Sequence, residues 1–252
     1  MIVAGMATIK GREASLRQTT DSIIDQIDLL YLHFNDYAPP EWYKTHPKIM
    51  VVTASDEGDM GKFSMIDQVD GVYLSIDDDL TYPPDYVSTI VAALERYKGS
   101  IVSFHGSIMS KGWTSYYRDR VGIRCLDDFH YDIAAHCLGT GVSAFDRRDV
   151  PLCWDDLRGR PRDMSDVHVS RWAHKNGVPL IALAHSAGWL THNNIDMTET
   201  IWHRVNVRDK SDSIQSSIVR EMEPFRYYAP AQVIERRCIE CGETECYCVV
   251  GA

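Results

Sequence analysis

Three consecutive aspartates, Asp77, Asp78 and Asp79, follow directly on an apolar run at residues 71–76, and this juncture constrains the chain most tightly. An apolar run of that length bounded by turn-forming residues reads as a buried strand. Adjacent like charges repel and raise one another's affinity for protons, so such a cluster needs compensation. Two readings stay open on the residues alone. One is a solvated aspartate-rich turn, a setting that Asp favours; the other is a cation or ligand site. In open α/β sheets ligands bind beyond the carboxyl ends of the strands, which is where this cluster would fall.

The surrounding pattern is of that kind. Short apolar runs at 2–4, 29–34, 49–52, 71–76 and 101–104 read as strands. Between them lie helical periodicities. Leu16, Ile23, Ile24 and Ile27 share one face over 14–27, a further helix is expected over 62–69, and Val87, Ile90, Val91 and Leu94 share a face after Pro83-Pro84. This alternation predicts an α/β fold with a mainly parallel sheet flanked by helices. Residues 105–137 show little periodicity and are expected to form a functional loop or lid. Within it, Trp113 and Tyr116 are candidates for an acceptor platform, against the plain alternative of packing. A strand reached through a glycine turn is expected over 137–145, a helix over 163–176 with Gly177 as its C-cap, and a last strand over 179–184. Residues 1–205 read as the α/β domain and 206–252 as a C-terminal extension.

Charge narrows the partners. The 36 acidic residues outnumber the 26 basic ones, a net charge of −10, which argues against a duplex nucleic-acid surface, since phosphate binding needs Lys/Arg stripes. Acidic clusters suit divalent cations, which prefer oxygen ligands. No apolar run approaches the roughly 18–20 residues that span a bilayer. The start, apolar but short and without a basic leader, reads as a first strand and not a signal peptide, so a cytoplasmic location is expected.

Several blocks, in order, resemble GT-A glycosyltransferases of the family-2-like kind. The segment from Gly71 through Asp77-Asp78-Asp79 to the tyrosine and valine after Pro83-Pro84 is similar to their DxD segment. The stretch around Thr8 and Arg12 is similar to their opening nucleotide-binding loop, and Asp59 with Lys62 to their Asp-x-Gly-x-x-Lys block, although here Lys62 directly follows a glycine. Leu138-Gly-Thr-Gly resembles the acceptor-side strand, and Asp163 to Ala173 the helix start that carries a catalytic carboxylate. The blocks span residues 1 to about 195.

The resemblance implies a Rossmann-like GT-A fold and transfer of a sugar from a nucleotide-sugar donor, UDP-linked, to a hydroxyl acceptor. Thr8, Arg12, Asp59, Lys62, Asp77 and Asp78 would then bind the donor, and Asp79 would bind Mn²⁺ or Mg²⁺ with His185, His192 standing behind it as the second choice. An inverting transfer needs a base for the acceptor hydroxyl. Asp166 is the first candidate and Asp163 the second, though an Asp at a helix start also caps it. The acceptor is expected to be a glycan or another hydroxyl compound. A modified DNA base is a further class that the acidic balance disfavours.

Cys238, Cys241, Cys246 and Cys248 crowd the end of the chain. Four thiolates form a usual tetrahedral zinc site, and structural zinc is the first reading of this tail, with redox-active or unligated thiols as the others. Two alternatives of other classes accompany the transferase: a nucleotidyltransferase of related fold, for which the Gly5–Arg12 stretch is a poor phosphate loop, and a non-catalytic metal-binding module.

Overall fold

A computed structural model describes residues 1–193 and 213–225 of the chain. The first unit runs β1 (Ile2–Thr8), α1 (Glu13–Ile23), β2 (Leu29–Asn35), α2 (Glu41–Thr45), β3 (Ile49–Ala54) and β4 (Val72–Ile76). The strands pair in parallel, in the order β3-β2-β1-β4. The chain therefore builds outward from β1 on one side and then returns to its other side. That reversal opens a crevice at the carboxyl ends of β1 and β4. Thr8 ends one strand and Asp77 follows the other.

The second unit comprises β5 (Leu80–Thr81), α3 (Tyr86–Arg96), β6 (Ile101–Ser103), β7 (Gly106–Met109), β8 (Arg120–Ile123), β9 (Ile133–Ala134) and β10 (Cys137–Leu138). It continues with β11 (Val142–Asp146), α4 (Trp154–Leu157), α5 (Ser165–Asn176), β12 (Leu180–Ala182), β13 (Thr191–His192) and α6 (Ser213–Arg220). Beyond β4 the sheet runs β11-β6-β12-β9. β11 is antiparallel to both its neighbours, and β6 and β12 are parallel.

The sheet separates two cores. Leu16, Ile23, Leu74, Ile90 and Phe104 fill the side carrying α1 and α3. Phe63, Tyr73, Phe145, Val169 and Ala173 fill the side carrying α4 and α5. Tyr73 and Leu74, adjacent on β4, point into opposite layers, the period-two alternation of a strand covered on both faces. α5 ends at Gly177 in the left-handed conformation (φ 71°), as its C-cap position requires.

Two local expectations differ from the structure. Residues 62–69 form no continuous α-helix; two short 3-10 helices, Gly58–Phe63 and Ile66–Gln68, take its place. Met60, Lys62 and Phe63 of the first are all buried, whereas Asp67 and Gln68 of the second reach solvent. Residues 105–137 are not simply a loop: β7 sits between β8 and β10 in a small antiparallel sheet. Its strands have four residues or fewer, too short for a period to register. α6, through Ile218 and Val219, and Met222 of the turn after it pack on this region, meeting Met109, Trp113, Tyr116 and Val167. Among the described residues no helix is long and apolar enough to cross a membrane.

Candidate active site

The three aspartates take three different environments as the chain leaves β4. Asp77 faces the crevice, its side chain 43% exposed, and pairs with the ammonium of Lys62. Asp78 turns inward, its side chain 4% exposed, and accepts from Arg12 Nη1 at 2.6 Å. Ser15 of α1 donates to its backbone carbonyl at 2.8 Å, which fixes the inward turn. Asp79 faces the crevice again and has the longer contact with the same guanidinium nitrogen, at 3.5 Å.

Three carboxylates thus share two cations, and one negative charge is left over. Asp79 shows the imbalance: burial, then Asp77 and Asp78, push its carboxyl up to about 7 although Arg12 and Lys62 pull the other way. Burial also raises Asp78. On Arg12 burial works against the charge, yet Asp78 and Asp79 outweigh it and hold the guanidinium above its usual range.

Two glycines make room for this arrangement. A Cβ on Gly141 would overlap the Asp77 carboxylate, and one on Gly139 would stand 2.8 Å from the His105 ring. The Gly-Thr-Gly run is therefore a wall against which two site side chains lie. Between them Thr140 is buried, and its amide and hydroxyl donate to Asp166 Oδ1 at 2.7 and 2.8 Å. Asp166 lies in the first turn of α5 and is half-buried; its other oxygen accepts no hydrogen bond from a described residue. Asp163 precedes the helix in a left-handed conformation (φ 62°), its carboxylate against Gly58.

Lys62 and Asp59 are placed deeper than a donor-contacting role requires. Lys62 is 3% exposed and committed to Asp77, with Thr140 at 3.4 Å. Asp59 is enclosed against the α5 start, where the Ser165 amide donates to its Oδ2 and the Ser165 hydroxyl contacts the same oxygen. Both act from beneath the crevice. Thr8 is buried at the end of β1, and Arg12 lies across Asp78 and Asp79.

The two histidines differ. Both ring nitrogens of His185 face backbone carbonyls, Leu183 at 2.8 Å and Arg124 at 3.0 Å, so neither is aimed at the aspartates. His192, on β13, is exposed, and its Nδ1 lies 3.4 Å from the Asp79 carbonyl, because β13 pairs with β5 immediately after the cluster. Trp113 and Tyr116 are 9% and 4% exposed and belong to the core beneath α6. The Trp113 indole donates to Glu223 at 2.8 Å, and Arg120 covers the Tyr116 ring at 4.3 Å. They present no open face to a sugar. The four tail cysteines lie outside the described residues.

Several residues at this end of the sheet escaped the sequence reading. An open cavity of about 430 Å³ sits at the carboxyl ends of β2 and β3, lined by Phe34, Asp36, Tyr37, Ala38, Thr53 and Ala54. Asp36 is exposed at its lip with a positive φ of 54°, an uncommon conformation for a residue other than glycine. An aspartate directly after a buried strand was the available signal. His105 follows β6; burial lowers its pKa, with Asp166 and Asp77 among the charges that act on it. Thr140 stood in view inside the glycine motif.

No protein-family model matches the chain, and no curated protein sequence matches it. A solved structure of GalNAc-T7 with UDP, GalNAc and Mn²⁺ does match in shape, with a TM-score of 0.56 over 80% of this chain. The fold is of the GT-A type. Identity over the match is 10%, so the likeness is one of fold, and the chain spans 46% of the length of that structure. The GT-A sheet places the aspartates of this chain at its strand-order reversal, with the cavity beside β2 and β3 to one side and Asp166 to the other.

Proposed function

We propose that the chain is a divalent-metal-dependent glycosyltransferase that moves a sugar from a nucleotide-sugar donor, UDP-linked in our reading, to a hydroxyl acceptor with inversion. The observation that carries this is the Asp77-Asp78-Asp79 cluster, one charge in excess, at the strand-order reversal of a GT-A sheet. A nucleoside diphosphate brings further negative charge to a site that already has a surplus, and a bound cation resolves both. Among the described residues no three metal-ligating side chains converge. That fits a cation held by one or two carboxylates and completed by phosphate oxygens, the usual arrangement for Mg²⁺. Asp79, raised by burial and then by Asp77 and Asp78, would hold the ion, and His192 is better placed than His185 to assist. Bound there, Mn²⁺ or Mg²⁺ supplies Lewis-acid stabilisation of the departing diphosphate. The GalNAc-T7 structure with UDP and Mn²⁺ supports this reading at the level of fold.

The chain's own residues do the rest. The cavity of Asp36 and Tyr37 takes the nucleobase, Asp77 orients the ribose, and Arg12 keeps Asp78 and Asp79 in register. With the oxygen that Thr140 leaves free, Asp166 takes the acceptor hydroxyl proton as the acceptor oxygen attacks the anomeric carbon and the nucleoside diphosphate leaves. The direct test is Asp79→Asn in a protein that still folds. Transfer and donor hydrolysis should both drop by roughly 100-fold or more; unchanged rates would sink the proposal.

A further inference from the structure

Four side chains form a continuous line beneath the crevice. The Ser165 hydroxyl contacts Asp59 Oδ2, Ser165 Oγ and Thr140 Oγ1 are 2.6 Å apart, and Thr140 Oγ1 lies 2.8 Å from Asp166 Oδ1. Backbone amides of Ser165 and Thr140 donate to the two terminal carboxyls at 2.9 and 2.7 Å.

Counting protons along this line gives a shortfall. Each oxygen–oxygen contact of hydrogen-bond length holds one proton between its partners. There are three such contacts, while Ser165 and Thr140 bring one hydroxyl proton each. Two ionised aspartates bring none. The third proton therefore belongs on a carboxyl.

Two observations assign it to Asp59. Its Oδ1 is buried and has no hydrogen-bond partner among the described residues, a condition far less costly for a neutral acid than for a carboxylate. Asp166, by contrast, is half-buried, and its Oδ1 already accepts two donors. The balance of forces agrees. Burial pushes Asp59 up to about 6, and the Asp166 charge adds to this, against Lys62 on its own turn and the two Ser165 donors of α5. Asp163, against Gly58, is the other carboxylate facing this turn.

We propose that Asp59 stands as a neutral acid and, through Ser165 and Thr140, is a positioning residue for the base Asp166. With the acid proton in place every hydroxyl points the same way: Asp59 donates to Ser165, Ser165 to Thr140, and Thr140 to Asp166. Thr140 Oγ1 then accepts from Ser165 and Lys62 and donates once, which fills its capacity. Asp166 stays ionised, with one oxygen clamped and the other turned to the acceptor. When Asp59 ionises, Ser165 turns back to it, Thr140 follows, and Asp166 loses a donor. This inference rests on the reading of Asp166 as the base.

The test has two arms on the full chain. Isotope-edited infrared spectra at about pH 5, below the value of about 6 to which burial raises this carboxyl, should show the carbonyl stretch of a protonated carboxylic acid in the wild type, missing in Asp59→Asn. The Ser165 amide and hydroxyl meet the same side-chain oxygen, so asparagine must turn its carbonyl oxygen to them and its NH2 away; at that pH Asp59→Asn should lower kcat roughly tenfold, the loss of one hydrogen bond to a charged group, with donor KM unchanged. Thr140→Val should behave likewise, and Thr140→Ser should restore the rate. Absence of the infrared band, or variants whose kcat does not move, overturns the inference. Wild-type protein that shows the band but no transfer overturns instead the reading on which it rests.

Discussion

The Lys62 ammonium is sealed from solvent beneath Asp77, whereas the Asp77 carboxylate is open on its far side. Removing one partner of a buried pair is costly mainly when it strands the buried charge. Asp77→Asn strands Lys62 and should destabilise by roughly 2–4 kcal/mol. Lys62→Met removes the buried charge itself and leaves Asp77 in water, so its cost should be clearly smaller. Urea unfolding of the two variants measures the difference, and equal costs would contradict the asymmetry.

Gly141 has no room for a side chain because the Asp77 carboxylate occupies that space. Gly141→Ala should displace Asp77 and lower kcat/KM by roughly 100-fold, the scale of a misplacement of about 1 Å. Gly122, with nothing within 4 Å of its would-be Cβ, is the control, and Gly122→Ala should leave activity near that of the wild type.

Asp36 stands at the lip of the cavity beside β2 and β3. Asp36→Ala should weaken nucleotide binding by roughly tenfold, the effect of losing one hydrogen bond to a charged group, while leaving metal binding unchanged. Calorimetric titration with nucleoside diphosphate separates the two. An unchanged nucleotide affinity would move the nucleobase elsewhere.

Burial, with His174 nearby, lowers His136 to about 3, and burial with Arg171 lowers His168 to about 4. In the unfolded chain both take a proton near the ordinary value of about 6.5. Between about 6.5 and 4 the unfolded state therefore binds more protons than the folded one, and stability falls as pH falls. Each histidine contributes a slope of up to roughly 1.4 kcal/mol per pH unit in that window. Urea midpoints across it should drop on acidification, less steeply in His168→Gln.

The legible parts of the molecule were those that local pattern controls. The strand before Asp77, the α5 periodicity ending at Gly177 and the Gly-Thr-Gly run all stand in the structure at the expected places. Burial decided the rest. Lys62 and Asp59 read as donor-binding residues, and the packing of the 58–63 segment against β1 and α5 encloses them. Trp113 and Tyr116 left an acceptor platform and packing both open, because the element that covers them, α6, is about a hundred residues away in sequence. His192 gained its place from the pairing of β13 with β5, which is equally distant. Asp36 and His105 each follow a strand, a position that an isolated acidic or imidazole residue does not advertise.

The central claim is that the aspartate cluster binds a cation together with a nucleoside diphosphate. Thermal unfolding of the intact protein with a panel of nucleoside diphosphates, in Mn²⁺, Mg²⁺ or EDTA, tests it most directly. A ligand present at about 100 times its dissociation constant stabilises by roughly 2.7 kcal/mol, a readily measured rise in Tm. The account predicts that rise with one nucleoside diphosphate, UDP first, in the presence of metal, its loss in EDTA and its loss in Asp79→Asn. No rise with any nucleotide in metal-loaded, folded protein would contradict it.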